Sequence, residues 1–300
     1  MNRVTISLLS LLFLLFAADV NAAKLFYEPD DENPSLKLVG KIESGDSERF
    51  VKLMLDIHRR GGIDSVPRRL VIDSAGGSIA EAVKLASLVE KFRLSTSVFG
   101  RDLQSPKHQG VCASACFLVW LGGYFRFASG FHIPDGDELE DAAFETLSLS
   151  GMVGLHRPYL DLVESSAKNM AELQLHQRQE ISGLRRYLEE RSVSTELIEK
   201  MMAHTSKNIY WLRPKEINDL SESPEHEELL VSNCNYRKTI VTERSTKEEV
   251  LAFLQESSGE EQERVHKCGR SLVQRLRGKE LPSLLIRLNK GWRPWALASK

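Results

Sequence analysis

Between residues 36 and 100 the apolar pattern switches back and forth between a period of two and a period near 3.6, and few folds accept that alternation. LKLVGKI (36–42) alternates as a strand, and ERFVKLMLDIHRR (48–60) puts Phe50, Leu53, Met54 and Ile57 on one helical face. RRLVIDS (68–74) reads as a second strand, broken by Ala75-Gly76-Gly77. SIAEAVKLASLVEKF (78–92) then opens on a serine, a good helix N-cap, and LSTSVFG (94–100) gives a third strand. Strand and helix in turn predict an α/β fold with a mainly parallel sheet covered by helices.

Downstream, RDLQSPKHQ (101–109) reads as a polar loop and Ala113 to Trp120 as a short buried helix. Residues 124–151 are mixed and contain the acidic stretch DGDELEDAAFETLS (135–148). MVGLHRPYL (152–160) reads as a buried strand running into a loop. Helices are expected over 162–190 and 192–205, and a charged helical segment over 245–278. A boundary near residue 225 divides an α/β domain (23–225) from a mainly helical C-terminal extension (226–300), in which Trp292 and Trp295 are expected to pack as an anchor.

Residues 1–22 carry one arginine, an uncharged apolar run from Thr5 to Ala18 and small residues at Val20-Asn21-Ala22, the pattern of a cleaved secretory signal. The run is shorter than the roughly 20 residues that span a bilayer. A periplasmic or secreted location is therefore expected. There pairing is the default for Cys112, Cys116, Cys234 and Cys268. Cys234 with Cys268 would tie down the C-terminal segment; Cys112 and Cys116 either pair across one turn or act as small packing residues, and spacing alone does not fix the connectivity. No zinc-type spacing of cysteine and histidine accompanies them, so no metal is expected. Arg3 and Asp19 cancel within the signal, so the formal charge of -2 holds for the mature chain and gives no electrostatic case for nucleic-acid binding.

Three stretches carry chemistry: DSAGGS (73–78), GVCASACF (110–117) and GLHRP (154–158). A diglycine between strand and helix lets backbone amides approach a ligand closely, although an ordinary tight turn would look the same. Ser114 precedes an apolar helix, where it could simply be a cap. His156 ends a strand; His132, in a loop-like FHIPDG context, is the weaker candidate base.

Taken in chain order, these stretches resemble the Clp protease proteolytic-subunit family of the wider ClpP/crotonase superfamily, in particular its exported, Clp-like relatives. DSAGGSIAEA is similar to that family's Ser-Pro-Gly-Gly turn, with Ala75 in place of proline. GVCASACFL resembles the nucleophile segment, GLHRP the histidine segment, and TSKNIYWLRPKEINDL (205–220) the stretch that carries the acid. The resemblance covers residues 36–222 and implies a spiral of ββα units, assembly into a homo-oligomer, a peptide or protein substrate and no cofactor. It also implies Ser114 as nucleophile, His156 as base, and an oxyanion hole from the amides of Gly76 or Gly77 with Ala115. Where the family has its acid this chain has Asn208, and in a Ser-His-Asp site that exchange costs about ten-thousand-fold in turnover. Asp161, Glu216 or Asp219 could substitute for it in space. No ATP-binding glycine loop is present, so no ATPase partner is expected. The leading expectation is an exported serine hydrolase, a peptidase; the alternatives are a binding or scaffold protein on the same fold and, less well suited to the compartment, acyl-CoA chemistry.

Overall fold

The computed structural model describes residues 23–29, 34–98, 110–128, 151–158, 170–205, 207–234, 236 and 259–297. The predicted signal, the 101–109 loop, His132, the acidic stretch and Asp161 lie outside the described residues.

The expected α/β class holds. Strands β1 (Lys24–Glu28), β2 (Ser35–Val39), β3 (Arg69–Asp73), β4 (Ser95–Val98) and β6 (Arg126–Phe127) form one sheet in the order β1-β2-β3-β4-β6. β1 runs antiparallel to β2, and the other neighbours are parallel. A second sheet, β5-β7-β8, pairs β5 (Val111–Ala113) parallel with β7 (Met152–Leu155) and β7 antiparallel with β8 (Tyr210–Trp211). The two sheets join where β3 runs out: the Ser74 N–H donates to the Val111 carbonyl (2.6 Å) and the Ala113 N–H to the Ser74 carbonyl (3.0 Å).

Helices fill the crossovers. Phe50, Met54 and Ile57 of α1 (Asp46–Gly61) are buried as the periodicity requires, and Leu53 packs at the margin. Ser78 caps α2 (Ile79–Lys91), its Oγ accepting the Glu81 N–H at 3.3 Å. α3 (Ala115–Leu121) is buried along its whole length. The sequence places that helix two residues early, since Ala113 belongs to β5. α4 (Met170–Glu189) and α5 (Thr195–Ala203) follow, the latter capped by Ser194. Beyond the short α6 (Pro214–Asp219), the described C-terminal residues form α7 (Pro224–Cys234), α8 (Gly259–Asn289) and a 3-10 turn (Pro294–Leu297). Leu281, Leu284, Leu285 and Leu288 of α8 enter the same core as the strands, and Trp292 and Trp295 pack against it, as an anchor should. Cys234 and Cys268 are disulfide-bonded and join α7 to α8.

Near the N-termini of α1 and α2 the buried Glu81 carboxylate accepts both the Ser47 N–H (2.7 Å) and the Ser47 hydroxyl (2.6 Å), and Lys84 pairs with it at 3.1 Å. Burial pushes its pKa up, but the Ser47 hydrogen bonds and Lys84 outweigh that and hold it below the ordinary 4.5. The unfolded chain therefore takes up this proton before the folded one does, so the carboxylate's contribution is present above about pH 4.5 and is lost as pH falls through the lower folded value. Urea unfolding of the wild type and of Glu81→Gln should show a shallower acid limb in the variant between about pH 5 and pH 3; parallel limbs would deny Glu81 this part.

Candidate active site

The diglycine turn is placed by backbone contacts that a side chain would prevent. Past Ser74 the chain turns through Gly76 (φ 100°) and Gly77 (φ 142°), conformations that favour glycine. The Ile42 N–H donates to the Gly76 carbonyl (2.8 Å) and the Ser78 N–H to the Ile42 carbonyl (2.9 Å), locking the turn to the segment just past β2. A Cβ on Gly76 would lie 2.7 Å from Ser114 Cβ and 3.0 Å from the Ala115 nitrogen. The turn is thus packed onto the serine segment, two of the three sequence stretches brought together.

Ser114 joins β5 to α3 with φ 58° and ψ -127°, a backbone region that costs a non-glycine residue roughly 1–3 kcal/mol. Three devices hold it there. Its N–H donates to the Gly154 carbonyl (2.9 Å), α3 is wholly buried, and a disulfide between Cys112 and Cys116 spans the bend with Cα atoms 5.2 Å apart. The bridge runs from strand to helix across the serine rather than along one helical turn. Ser114 occupies the N-cap position, yet its hydroxyl makes no capping bond and no other hydrogen bond among the described residues. Capping therefore does not account for the side chain.

His156 follows β7, whose register sets Ala113 opposite Gly154, so the ends of β5 and β7 carry Ser114 and His156 to one edge of the second sheet. The residue is 8% exposed, with Nδ1 2.8 Å from the Arg157 carbonyl. A carbonyl only accepts, so Nδ1 carries the hydrogen and Nε2 is left as the basic nitrogen. The Arg157 N–H in turn donates to the His204 carbonyl (2.9 Å). No hydrogen bond joins Ser114 Oγ to the ring in this structure.

No hydrogen bond joins Asn208 to His156 among the described residues. Asn208 lies in the turn just before β8, exposed, with its N–H closing that turn on the Thr205 carbonyl (2.9 Å). Glu216 is engaged elsewhere, accepting from the Tyr210 hydroxyl (2.7 Å), the Arg213 N–H (2.9 Å) and Lys200 Nζ (3.1 Å). Burial pushes its carboxyl up, and these donors together hold it below the usual glutamate range. Asp219 is exposed.

The amides separate into two kinds. The Gly76 N–H is used internally, donating to Ser74 Oγ at 3.1 Å, whereas those of Gly77 and Ala115 have no partner among the described residues. Ser74, 2% exposed, and Asp73, whose Oδ1 accepts the Val111 N–H at 3.2 Å, set the turn against β5. The sequence displays these two beside the diglycine, but only the pairing of β3 with β5 gives them that task. Among the described residues no group of histidine, cysteine or acidic side chains could hold a metal ion, and no helix is long and apolar enough to cross a membrane.

No family model and no curated protein matches this chain. Among solved structures it is similar to a mutant of the 1510-N membrane-bound stomatin-specific protease, at 14% identity over 66% of this chain and 82% of that one, with a TM-score of 0.38. It is similar also to ClpP1 from Listeria monocytogenes, at 15% identity over 62% and 86% with a TM-score of 0.38, and to a mutant of that protein at 17% over 64% and 92% with the same score.

Proposed function

We propose that this chain is an exported serine hydrolase, a peptidase, on a ClpP/crotonase-like spiral of ββα units that assembles as a homo-oligomer, with residues 23–225 as the hydrolase domain and 226–300 as its helical extension. The observation that carries the reading is Ser114: a non-glycine residue held at positive φ, its hydroxyl uncommitted, with the diglycine turn packed on its Cβ. A hydroxyl with no structural task at a strained bend is what a nucleophile requires, and strain of this kind persists only where surrounding contacts enforce it.

In the reaction, Ser114 Oγ forms a bond to the carbonyl carbon of the scissile amide while His156 Nε2 takes the hydroxyl proton. The carbonyl oxygen gathers the negative charge, and the amides of Gly77 and Ala115 stabilise it. Collapse breaks the C–N bond, the imidazolium returns its proton to the leaving amine, and water then cleaves the acyl-serine ester by the same route. Gly76 supports the turn without contributing its own N–H, because Ser74 Oγ already accepts it.

The test is mass spectrometry of the protein treated with a fluorophosphonate: one adduct on Ser114, absent from Ser114→Ala. A folded protein that stays unlabelled would instead support the binding-protein reading, which one observation favours: among the described residues the group hydrogen-bonded to His156 Nδ1 is the Arg157 carbonyl, a neutral acceptor.

A further inference from the structure

At the opposite end of the first sheet a cavity of about 690 Å³ opens between α8 and the starts of β3 and β4, where Arg69 and Ser95 begin those strands. Ser74 to Gly77 lie beyond the other end of β3, so this cavity is separate from the candidate active site. Its volume falls in the range of small-molecule sites, about 300–1,000 Å³.

The wall chemistry is lopsided. Tyr124, Phe125, Phe127 and Leu281 give it an apolar side. Among its cations Arg93 is already satisfied, bonded to both carboxylate oxygens of Glu280 (3.0 and 3.2 Å) and paired with Glu225 (3.0 Å). Arg68, Arg69, Lys267, Arg270 and Arg277 also line the cavity, and among the described residues none of them has an ion-pair partner. Among the described residues, Asp64 is the one carboxylate in the lining.

Arg277 is the decisive residue. It is 8% exposed, and Nη2 donates to the Val66 (3.2 Å) and Pro67 (2.8 Å) carbonyls, which fixes the guanidinium in place. Its Nε is buried without an acceptor, and Nη1 makes no hydrogen bond among the described residues. Burial, and then the nearby charge of Arg68, pull its pKa down to about 10. A buried guanidinium with unmade hydrogen bonds and a like-charged neighbour is an unfavourable arrangement that an anion would reverse, and arginine's planar fork suits a two-oxygen acceptor.

We propose that this cavity binds a small molecule bearing a carboxylate or phosphate on an apolar body, the anion held by Arg277, Arg68 and Arg270 and the body laid against Tyr124, Phe125 and Phe127. Both anion types offer the same oxygen pair to the guanidinium, and direct comparison separates them.

Calorimetric titration of the full chain at low salt would use phenyl phosphate, benzoate, inorganic phosphate and uncharged benzyl alcohol. Phenyl phosphate or benzoate should bind at least about tenfold more tightly than both inorganic phosphate and benzyl alcohol. Whichever aryl anion binds more tightly identifies the head group. Arg68→Ala/Arg270→Ala, which alters exposed side chains only, should weaken that binding about tenfold or more, and Arg277→Met should abolish it. If Arg277→Met does not fold, the double variant decides. The proposal is overturned if neither aryl anion binds at about 10 mM, if benzyl alcohol or inorganic phosphate binds as tightly, or if the double variant binds as the wild type does.

Discussion

Gly77→Ala is expected to destabilise the protein by about 4 kcal/mol and to lower its melting temperature by roughly 10 °C. Two effects add at this position. The backbone is at φ 142°, which an L side chain rarely adopts, and the new Cβ would lie 2.1 Å from the Ile42 carbonyl oxygen and 2.9 Å from the Ile42 nitrogen. Those atoms cannot give way cheaply, because Ile42 is hydrogen-bonded to Gly76 and Ser78 on both sides of the offending carbon. Relief would require the turn to leave Ile42, and Gly76, packed on Ser114 and Ala115, would move with it. Loss of fluorophosphonate labelling should therefore accompany the loss of stability. Gly291→Ala is the control: φ is 87° there, but a Cβ meets nothing within 4 Å, so only the backbone cost of about 1 kcal/mol applies. Urea unfolding of both variants followed by circular dichroism separates strain from collision. Equal losses would mean that Ile42 does not confine the turn.

The contrast between these glycines shows which parts of the fold sequence alone can reveal. The helices over 46–61 and 79–91 and the strands over 35–39 and 69–73 announce themselves because each buries a single face over several residues, so periodicity repeats often enough to be read. Strands β5, β6 and β8, of three, two and two residues, contain at most one and a half periods of alternation. They exist because neighbouring strands offer hydrogen bonds, and those neighbours are distant in the chain. β5 is concealed further: Val111 to Ala113 runs straight into an apolar helix, and an apolar run carries no mark of the residue at which strand becomes helix. β1 was hidden for another reason, since Lys24–Glu28 directly follows the signal-like segment and has partly exposed side chains on both faces.

The candidate site divides in the same way. Residue types and order pointed to Ser114, His156 and the diglycine, because their chemistry is local and uncommon in such settings. What the types could not supply was allocation. Two glycines offered two amides, and only the geometry of Ser74 Oγ shows that Gly76 has used its own. The paired cysteines around Ser114 were equally compatible with packing, and only a sharp bend at the serine brings a strand residue and a helix residue within bonding reach. Asn208 is the opposite case. Chain order puts it where an acid would stand, but its surroundings depend on the turn that leads into β8, a two-residue strand with no periodicity to read.

The exposed Asn208 side chain, with no hydrogen bond to His156 among the described residues, leads to the second large expected effect. His156→Gln should slow phosphonylation of Ser114 by about 10²- to 10⁴-fold, the range by which a positioned base accelerates proton removal, while Asn208→Ala should change the rate by less than about threefold. Among the described residues the ring is oriented by the Arg157 carbonyl, which accepts from Nδ1 at 2.8 Å, while the Arg157 N–H donates to the His204 carbonyl. A carbonyl dipole selects the same tautomer as a carboxylate but stabilises the developing imidazolium less, because it brings partial rather than full charge. Rates of adduct formation on wild type and both variants, at one pH and one reagent concentration, decide between the arrangements. If Asn208→Ala slows labelling as much as His156→Gln does, the amide reaches the ring in the reacting state and the carbonyl is not the anchor. If His156→Gln labels at the wild-type rate, Ser114 is activated by some other group and the pair proposed here is wrong.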